Sequence, residues 1–286
     1  MIDLRPMSRA SRAVNLLRSR NLTTELLNRR RAKNDSPRHL LRNPMTLNSR
    51  TSARRINALY DGMPGARNYL EIGLWKGFTF EQVRVPIRVG VDPFPAFCVD
   101  SLPPNASLSI STSDEFFAGL DLERTFDLIF LDGLHTYRQS YADLINALGR
   151  CPDGVILLDD VIPSDEISAL PDLAQSRAER ERRGMSSADA PWHGDVFKVI
   201  LAIREFHPEL CVRTIVGSGN PQAVVWRPDG MPSTSAVDPS LLSVFDEVSF
   251  ADVFTPTPPD CFVTCNEGQA IADALAAVSG RFDLRV

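Results

Sequence analysis

The sequence predicts an α/β protein with a doubly wound, Rossmann-like sheet of seven strands. The predicted sheet is mostly parallel, ends in an antiparallel hairpin strand and has helices on both faces. Two apolar runs of strand length, at residues 128–131 and 155–158, lead to this prediction, because such runs are typical of strands buried on both faces. A hairpin signal at residues 217–221, where turn-forming residues separate two further apolar segments, supplies the antiparallel pair.

The first two strands of the sheet are predicted at residues 68–73 and 88–93. A turn containing Gly73 and Gly77 follows the first strand, and Asp92 follows the second. Glycines let the backbone approach a cofactor, and an acid at this point accepts hydrogen bonds from ribose hydroxyls. The spacing is not the dinucleotide G-x-G-x-x-G pattern, so an ordinary tight turn is the alternative interpretation.

Acidic residues follow the two apolar strands at the point where each strand ends. Asp132 and His135 come after the first of these strands, and Asp159 and Asp160 come after the second. Because the carboxyl ends of parallel strands meet at one edge, we expect these four side chains to converge. Carboxylates are suitable ligands for a hard divalent cation, and an imidazole beside them can act as a proton acceptor. Alternatively, Asp159 and Asp160 only cap a following helix. His135 could instead be a metal ligand or the start of the next helix.

Taken together, the motifs resemble those of class I S-adenosylmethionine-dependent methyltransferases. The resemblance is to the metal-dependent O-methyltransferase branch, which includes catechol O-methyltransferase and the macrolide-sugar O-methyltransferases. It covers roughly residues 68–227 and is carried by the segments 71–77, 90–92, 113–115, 126–132 and 158–160.

The resemblance implies a role for each matching residue. The implied cofactor-binding residues are Glu71, Gly73, Gly77, Asp92, Ser113, Asp114 and Asp132. In the family the first acid and the glycines hold the methionine portion, the acid after the second strand holds the ribose, and the polar pair lies beside the adenine. The implied metal ligands are Asp132, Asp159 and Asp160, and the implied general base is His135. Mg²⁺ is the first choice of ion and Mn²⁺ the second, because the ligands are oxygens.

The expected activity is therefore methyl transfer from S-adenosylmethionine to a hydroxyl of a small molecule, assisted by a divalent cation. Histidine at the base position favours a sugar or another polyol-bearing acceptor, and a phenol stays open. Two alternatives are a catalytically inactive cofactor-binding protein with an assembly or regulatory role, and a metal-dependent hydrolase on a similar sheet.

Composition agrees with a large α/β domain. The chain has 286 residues, 43% of them hydrophobic, which is ordinary for a soluble protein. No apolar run is long enough for a membrane span and no secretory signal is visible, so we expect a cytoplasmic protein. The five cysteines have no metal-finger spacing, and free thiols are expected.

Charge is distributed unevenly along the chain. Residues 1–55 contain fourteen Lys or Arg against three Asp or Glu, whereas the net charge of the whole chain is -5. We divide the chain into this basic, partly helical arm and a methyltransferase domain at residues 56–286. A basic segment of this kind can bind nucleic acid or an anionic surface, or it can act as a transit sequence. Packing on the acidic domain, its own or a partner subunit's, is preferred, because no aromatic residue interleaves with these charges for base stacking.

Three later segments are less specific. An amphipathic helix ending at Gly149 is predicted at residues 136–148, with its tyrosines in the core. Residues 163–191 are polar and are either a cover over the active site or a solvated helix and loop. Trp192 and His193 are candidates for lining the acceptor pocket, and Asp195 is predicted to cap the helix that follows.

Overall fold

A computed structural model describes residues 45–97, 102–186, 191–228, 239–255 and 257–283. The predicted basic arm lies outside the described residues up to residue 44, and so does Cys98. The other four cysteines are thiols, as expected. No described helix is long and apolar enough to cross a membrane.

The described residues form one mixed sheet. Its strands are β1 (Asn68–Ile72), β2 (Ile87–Val91), β3 (Ala106–Ser109), β4 (Leu128–Leu131), β5 (Val155–Leu158), β6 (Cys211–Ile215), β7 (Gln222–Trp226) and β8 (Thr264–Cys265). The spatial order is β3-β2-β1-β4-β5-β7-β6-β8. Strands β1 to β5 pair in parallel, β7 is antiparallel to both of its neighbours, and β8 is parallel to β6. The predicted fold class is confirmed, but the sheet has eight strands rather than seven.

Helices cover both faces of this sheet. They are α1 (Met45–Asp61), α2 (Phe78–Gln82), α3 (Ser113–Gly119), α4 (Tyr137–Arg150), α5 (Leu173–Arg182), α6 (Phe197–Phe206), α7 (Pro239–Leu242), α8 (Phe250–Val253) and α9 (Glu267–Val278). Single 3₁₀ turns occur at Ser243–Phe245, Asp260–Phe262 and Ser279–Arg281. Helix α1 runs across the predicted domain boundary at residue 55.

Two apolar cores explain why β4 and β5 are continuous apolar runs. Successive side chains of a strand point to opposite faces. Ile129 and Leu131 therefore join one core with α4 and α6, whereas Leu128 and Phe130 join the other with α1 and α9. Burying each such side chain stabilises the fold by about 1.5–3 kcal/mol. The strands are held on both faces, so the loops at their carboxyl ends stand on a rigid base.

Helix α4 follows the predicted pattern with one difference. Tyr137 and Tyr141 are buried in the core, as expected. The helix includes Gly149 and ends at Arg150, so the prediction that Gly149 ends it was wrong. A single glycine inside a helix costs only about 1 kcal/mol, which the packing of the buried face offsets.

Candidate functional site

Strands β4 and β5 bring three of the predicted site residues together. The two strands are parallel neighbours with Leu131 opposite Leu158, so the residues that follow each strand emerge side by side. Asp132, His135 and Asp160 each place one ligand atom within 4.8 Å of the others. The predicted convergence at the carboxyl edge is thus found for these three.

The paired acids after β5 have different partners. Asp160 has a left-handed backbone, with φ of 59°, and its Oδ2 lies 2.9 Å from Nδ1 of His135. Asp159 Oδ1 accepts hydrogen bonds from the Asp160 backbone N–H at 2.9 Å and from the Asn220 side-chain amide. Asp159 therefore lies beside the cluster and is bound by Asn220 in the turn between β6 and β7, which also donates to Asp160 Oδ1 at 2.7 Å.

The contacts of His135 fix which of its nitrogens carries a proton. Nδ1 lies 3.0 Å from the backbone carbonyl oxygen of Trp192 and 2.9 Å from Asp160. A carbonyl oxygen only accepts, so Nδ1 donates. Nε2 lies 3.4 Å from Asp132 Oδ1 and is the nitrogen left for a proton or a ligand. The Trp192 ring stacks on the imidazole with 5.1 Å between centroids, which restricts its rotation.

A small cavity of about 10 Å³ lies among these side chains. Asp132, His135, Asp159 and Asp160 all line it. Its volume suits one water-sized occupant and is far too small for an organic acceptor. Carboxylate oxygens with one imidazole are a donor set that Mg²⁺ or Mn²⁺ accepts. The residues present therefore fit a single divalent cation.

The charges of the cluster shift its pKa values in opposite directions. Burial alone would lower the pKa of His135, but the carboxylates of Asp160 and Asp132 outweigh it and hold that pKa well above its usual value. Burial opposes ionisation of Asp160, yet His193 and His135 outweigh it and lower its pKa to about 2. Burial, with the negative charges of Asp132 and Asp160, raises the pKa of Asp159 well above its usual range. Without a cation, the cluster thus retains protons.

The glycine turn after β1 passes directly behind this cluster. Gly73 has φ of 85°, and a Cβ there would lie 2.0 Å from the backbone oxygen of Asp132. Any side chain at this position would be strained by the backbone conformation and would collide with that oxygen. Gly77 also has a positive φ, 73°, and packs against the ring of Phe97. The predicted cofactor turn and the predicted metal cluster are therefore adjacent.

Two predicted cofactor acids flank the turn. Glu71 is buried and accepts a hydrogen bond of 2.6 Å from the Tyr69 hydroxyl; burial, chiefly, raises its pKa to about 8. Asp92 Oδ2 accepts hydrogen bonds from the backbone N–H groups of Leu74 and Trp75, at 2.8 and 2.7 Å. Asp92 thereby shapes the glycine turn, a structural role that no local sequence pattern indicates.

The predicted adenine pair lies at the start of α3. Ser113 and Asp114 both accept hydrogen bonds from the Gln139 side-chain amide, at 3.2 and 3.1 Å. The same nitrogen lies 3.0 Å from Asp143 Oδ1 on α4, so its two hydrogens are shared among three acceptors. This network, which joins two helices, was missed because Gln139 and Asp143 are ordinary polar residues in the sequence.

Further residues reach the cluster from distant parts of the chain. Trp192 and His193 contact His135 and Asp160, with His193 Nε2 3.8 Å from Asp160, so they border the cluster itself. Asp195 was predicted to cap the helix that follows, and that prediction was wrong. Its Oδ1 accepts the backbone N–H of Tyr137, at the start of α4, at 2.6 Å, and Val196 occupies the cap position of α6.

The segment after β5 packs close to these residues. Helix α5 begins after Asp172, whose side chain accepts the Gln175 backbone N–H. Arg180 of that helix binds Asp165 at 3.1 Å, and the Trp192 indole donates to the Leu170 carbonyl at 2.7 Å. The segment thus holds the ring that stacks on His135. Whether it covers the site stays a prediction.

Comparison with known proteins gives one family. Residues 70–161, about a third of the chain, match the model of a methyltransferase domain. This match confirms, over that region, the resemblance to class I S-adenosylmethionine-dependent methyltransferases that the motifs indicate. No curated protein sequence matches the chain.

Solved structures show a distant likeness. An O-methyltransferase from Bacillus cereus, solved with S-adenosylhomocysteine (SAH), is 17% identical over 78% of this chain and 92% of its own, with a TM-score of 0.42. A putative O-methyltransferase from Klebsiella pneumoniae is 13% identical over 79% and 92%, with a TM-score of 0.43. The N-methyltransferase NodS from Bradyrhizobium japonicum is 18% identical over 78% and 100%, with a TM-score of 0.40. Such scores do not distinguish between acceptors.

Proposed function

We propose that this methyltransferase-domain protein transfers the methyl group of S-adenosylmethionine to a hydroxyl of a small molecule, with the help of a divalent cation. A sugar or another polyol-bearing compound is the favoured acceptor, because a histidine stands at the base position, and a phenol is the second choice. The observation that carries the proposal is the ion-sized cavity among Asp132, His135 and Asp160, directly in front of the Gly73 turn.

The side chains around the cavity and at the glycine turn would have different roles in the reaction. Asp132 and Asp160 would hold the cation, with Asp159 beside them. A bound cation supplies positive charge that lowers the pKa of an acceptor hydroxyl and orients its oxygen. On the cofactor side, Glu71, Gly73, Gly77 and Asp92 would hold the methionine portion and the ribose, and Ser113 with Asp114 the adenine, while the donor supplies an activated methyl group.

His135 would take the proton of the acceptor. Its Nδ1 is committed to Asp160 and to the Trp192 carbonyl, so Nε2 is the nitrogen that would receive the proton. The neighbouring carboxylates keep the pKa of His135 high, against the effect of burial. Positive charge in the cavity would offset those carboxylates and lower the pKa of His135, which favours the unprotonated form of Nε2.

The comparison with known proteins disfavours one of the two alternative functions. The methyltransferase-domain match over residues 70–161 disfavours a metal-dependent hydrolase, which needs no sulfonium donor. A cofactor-binding protein without turnover would use the same turn and the same acids, and activity measurements separate it from an enzyme.

Calorimetry and a methylation assay test the proposal in sequence. Titration with SAH, with and without Mg²⁺, is expected to give binding. Labelled S-adenosylmethionine is then offered with a panel of glycosides, polyols and phenols, with Mg²⁺ or with EDTA. The proposal predicts transfer to at least one hydroxyl compound that EDTA abolishes. Absence of SAH binding contradicts it, and binding without transfer to any member favours the inactive alternative.

A further inference from the structure

We infer that Asn220 is a positioning residue for the acid pair Asp159 and Asp160, and that Arg55 fixes Asn220 from helix α1. The inference rests on the proposed function, because it concerns the affinity of the same cation site. It assigns to helix α1 a task in cation binding.

The side chain of Asn220 joins the two carboxylates. Its single amide nitrogen lies within hydrogen-bond distance of Oδ1 of both acids, at 2.7 Å for Asp160, and the residue is buried. One NH₂ group has two hydrogens, so each carboxylate receives one. This leaves the other oxygen of Asp160, Oδ2, on the side of His135. Adjacent carboxylates repel each other, and a shared donor holds both in one orientation.

Asn220 is itself held by a buried guanidinium. Nη1 of Arg55 donates to the Asn220 backbone oxygen and to Gln222 Oε1, both at 2.7 Å, while Nη2 binds the Ser218 backbone oxygen. Arg55 is 0% exposed, and its charge is paired with Glu267 at 2.9 Å. The planar fork of arginine makes these bonds together, which lysine cannot do.

The turn between β6 and β7 therefore connects α1 to the acid pair. Gly219, at the tip of the turn, lies so close to Thr51 of α1 that a Cβ there would be 2.9 Å from the threonine side chain. The path from Arg55 through Asn220 to the carboxylates consists of hydrogen bonds between buried groups, which are strong when complete and costly when one partner is lost. Residues that orient metal ligands typically change metal affinity about 10–100-fold when mutated.

Four variants separate positioning from general stability. Asn220→Ala removes both donors, Asn220→Ser keeps one, and Arg55→Lys keeps the charge without the fork. Arg54→Ala is the matched control, because Arg54 also binds Glu267, at 2.7 Å, but is exposed and does not contact the turn. Mn²⁺ affinity is measured by titration calorimetry, SAH affinity is measured without metal, and folding is checked by Tm.

The inference predicts a graded result. We expect Asn220→Ala to bind Mn²⁺ at least tenfold more weakly, with Asn220→Ser and Arg55→Lys intermediate and Arg54→Ala within about twofold of wild type. SAH affinity stays unchanged, and kcat at saturating Mn²⁺ changes much less than the Mn²⁺ concentration for half-maximal rate. Wild-type Mn²⁺ affinity in Asn220→Ala overturns the inference but not the proposed function. If that variant does not fold, wild-type Mn²⁺ affinity in both Asn220→Ser and Arg55→Lys has the same meaning. Absence of Mn²⁺ binding by the wild type overturns the proposed cation site and the inference with it.

Discussion

Replacement of Glu71 by glutamine is expected to stabilise the protein at neutral pH. Glu71 lies at 1% exposure in β1, where its carboxyl accepts the Tyr69 hydroxyl proton at 2.6 Å. Burial, with a smaller contribution from the charge of Asp132, raises its pKa from 4.5 to about 8. Glutamine has the same size and can accept the same hydrogen bond, but it has no charge to desolvate.

The magnitude follows from proton linkage. Between pH 4.5 and about 8 the folded protein binds a proton at Glu71 that the unfolded chain has lost, so the free energy of unfolding falls as pH rises. Each pH unit in this interval costs about 1.4 kcal/mol, so the loss from this group reaches roughly 3 kcal/mol at pH 7. The glutamine variant lacks this loss. Its advantage in the free energy of unfolding is therefore up to about 3 kcal/mol at pH 7 and vanishes near pH 4.5.

Urea unfolding of both proteins between pH 5 and pH 8 measures this difference. Glu81→Gln, on the exposed surface of α2, is the matched control and should show no such growth of the difference with pH. Equal pH slopes for wild type and Glu71→Gln would refute the reasoning. Because Glu71 is assigned to the methionine portion of the cofactor, we also expect the variant to bind SAH more weakly, a gain of stability at the expense of function.

Three further predictions concern the cluster and the turn. Asp160→Ala and His135→Ala are each expected to lower turnover at least about 100-fold, with SAH affinity unchanged. The control Asp61→Ala removes an exposed ion pair with Arg84 and should leave turnover intact. Wild-type turnover in both site variants would disprove the mechanism. Mn²⁺ binding at pH 7 should release protons, because a cation offsets the negative charges that raise the pKa of His135 against the effect of burial, and it opposes the protonated form of Asp159, whose pKa burial raises. Calorimetry in buffers of different ionisation enthalpy measures the release, and binding without any release would contradict a protonated cluster. Gly73→Ala should cost roughly 3 kcal/mol or more, from a left-handed backbone and a Cβ that would lie 2.0 Å from the Asp132 oxygen; wild-type stability in urea would contradict this contact.

Local sequence patterns were sufficient for the central strands. The apolar runs at 128–131 and 155–158 coincide with β4 and β5, because burial on both faces leaves a continuous apolar signature. Strand β8 was missed because it has only two residues, Thr264 and Cys265, and it forms by pairing with the edge of β6. A segment that short has no periodicity that could predict it.

The sequence predicted which residues of the candidate site lie close together, because the ends of the strands determine this. Parallel topology placed Asp132, His135 and Asp160 at one edge, and the sequence indicated all three. Their orientation depends on the left-handed backbone of Asp160 and on Asn220, sixty residues farther along the chain. Asn220 was visible in the sequence only as part of a turn signal. Contacts of that kind arise from tertiary packing, which no local pattern contains.

The central claim is that the donor binds directly beside the cation site, and Mn²⁺ provides the most direct measurement. Mn²⁺ is paramagnetic and broadens the proton resonances of nearby molecules. The proposed function predicts that Mn²⁺ broadens the resonances of bound SAH nearest its sulfur in the wild-type protein and that Asp160→Ala removes the effect. SAH resonances that stay sharp while both ligands are bound would contradict the claim.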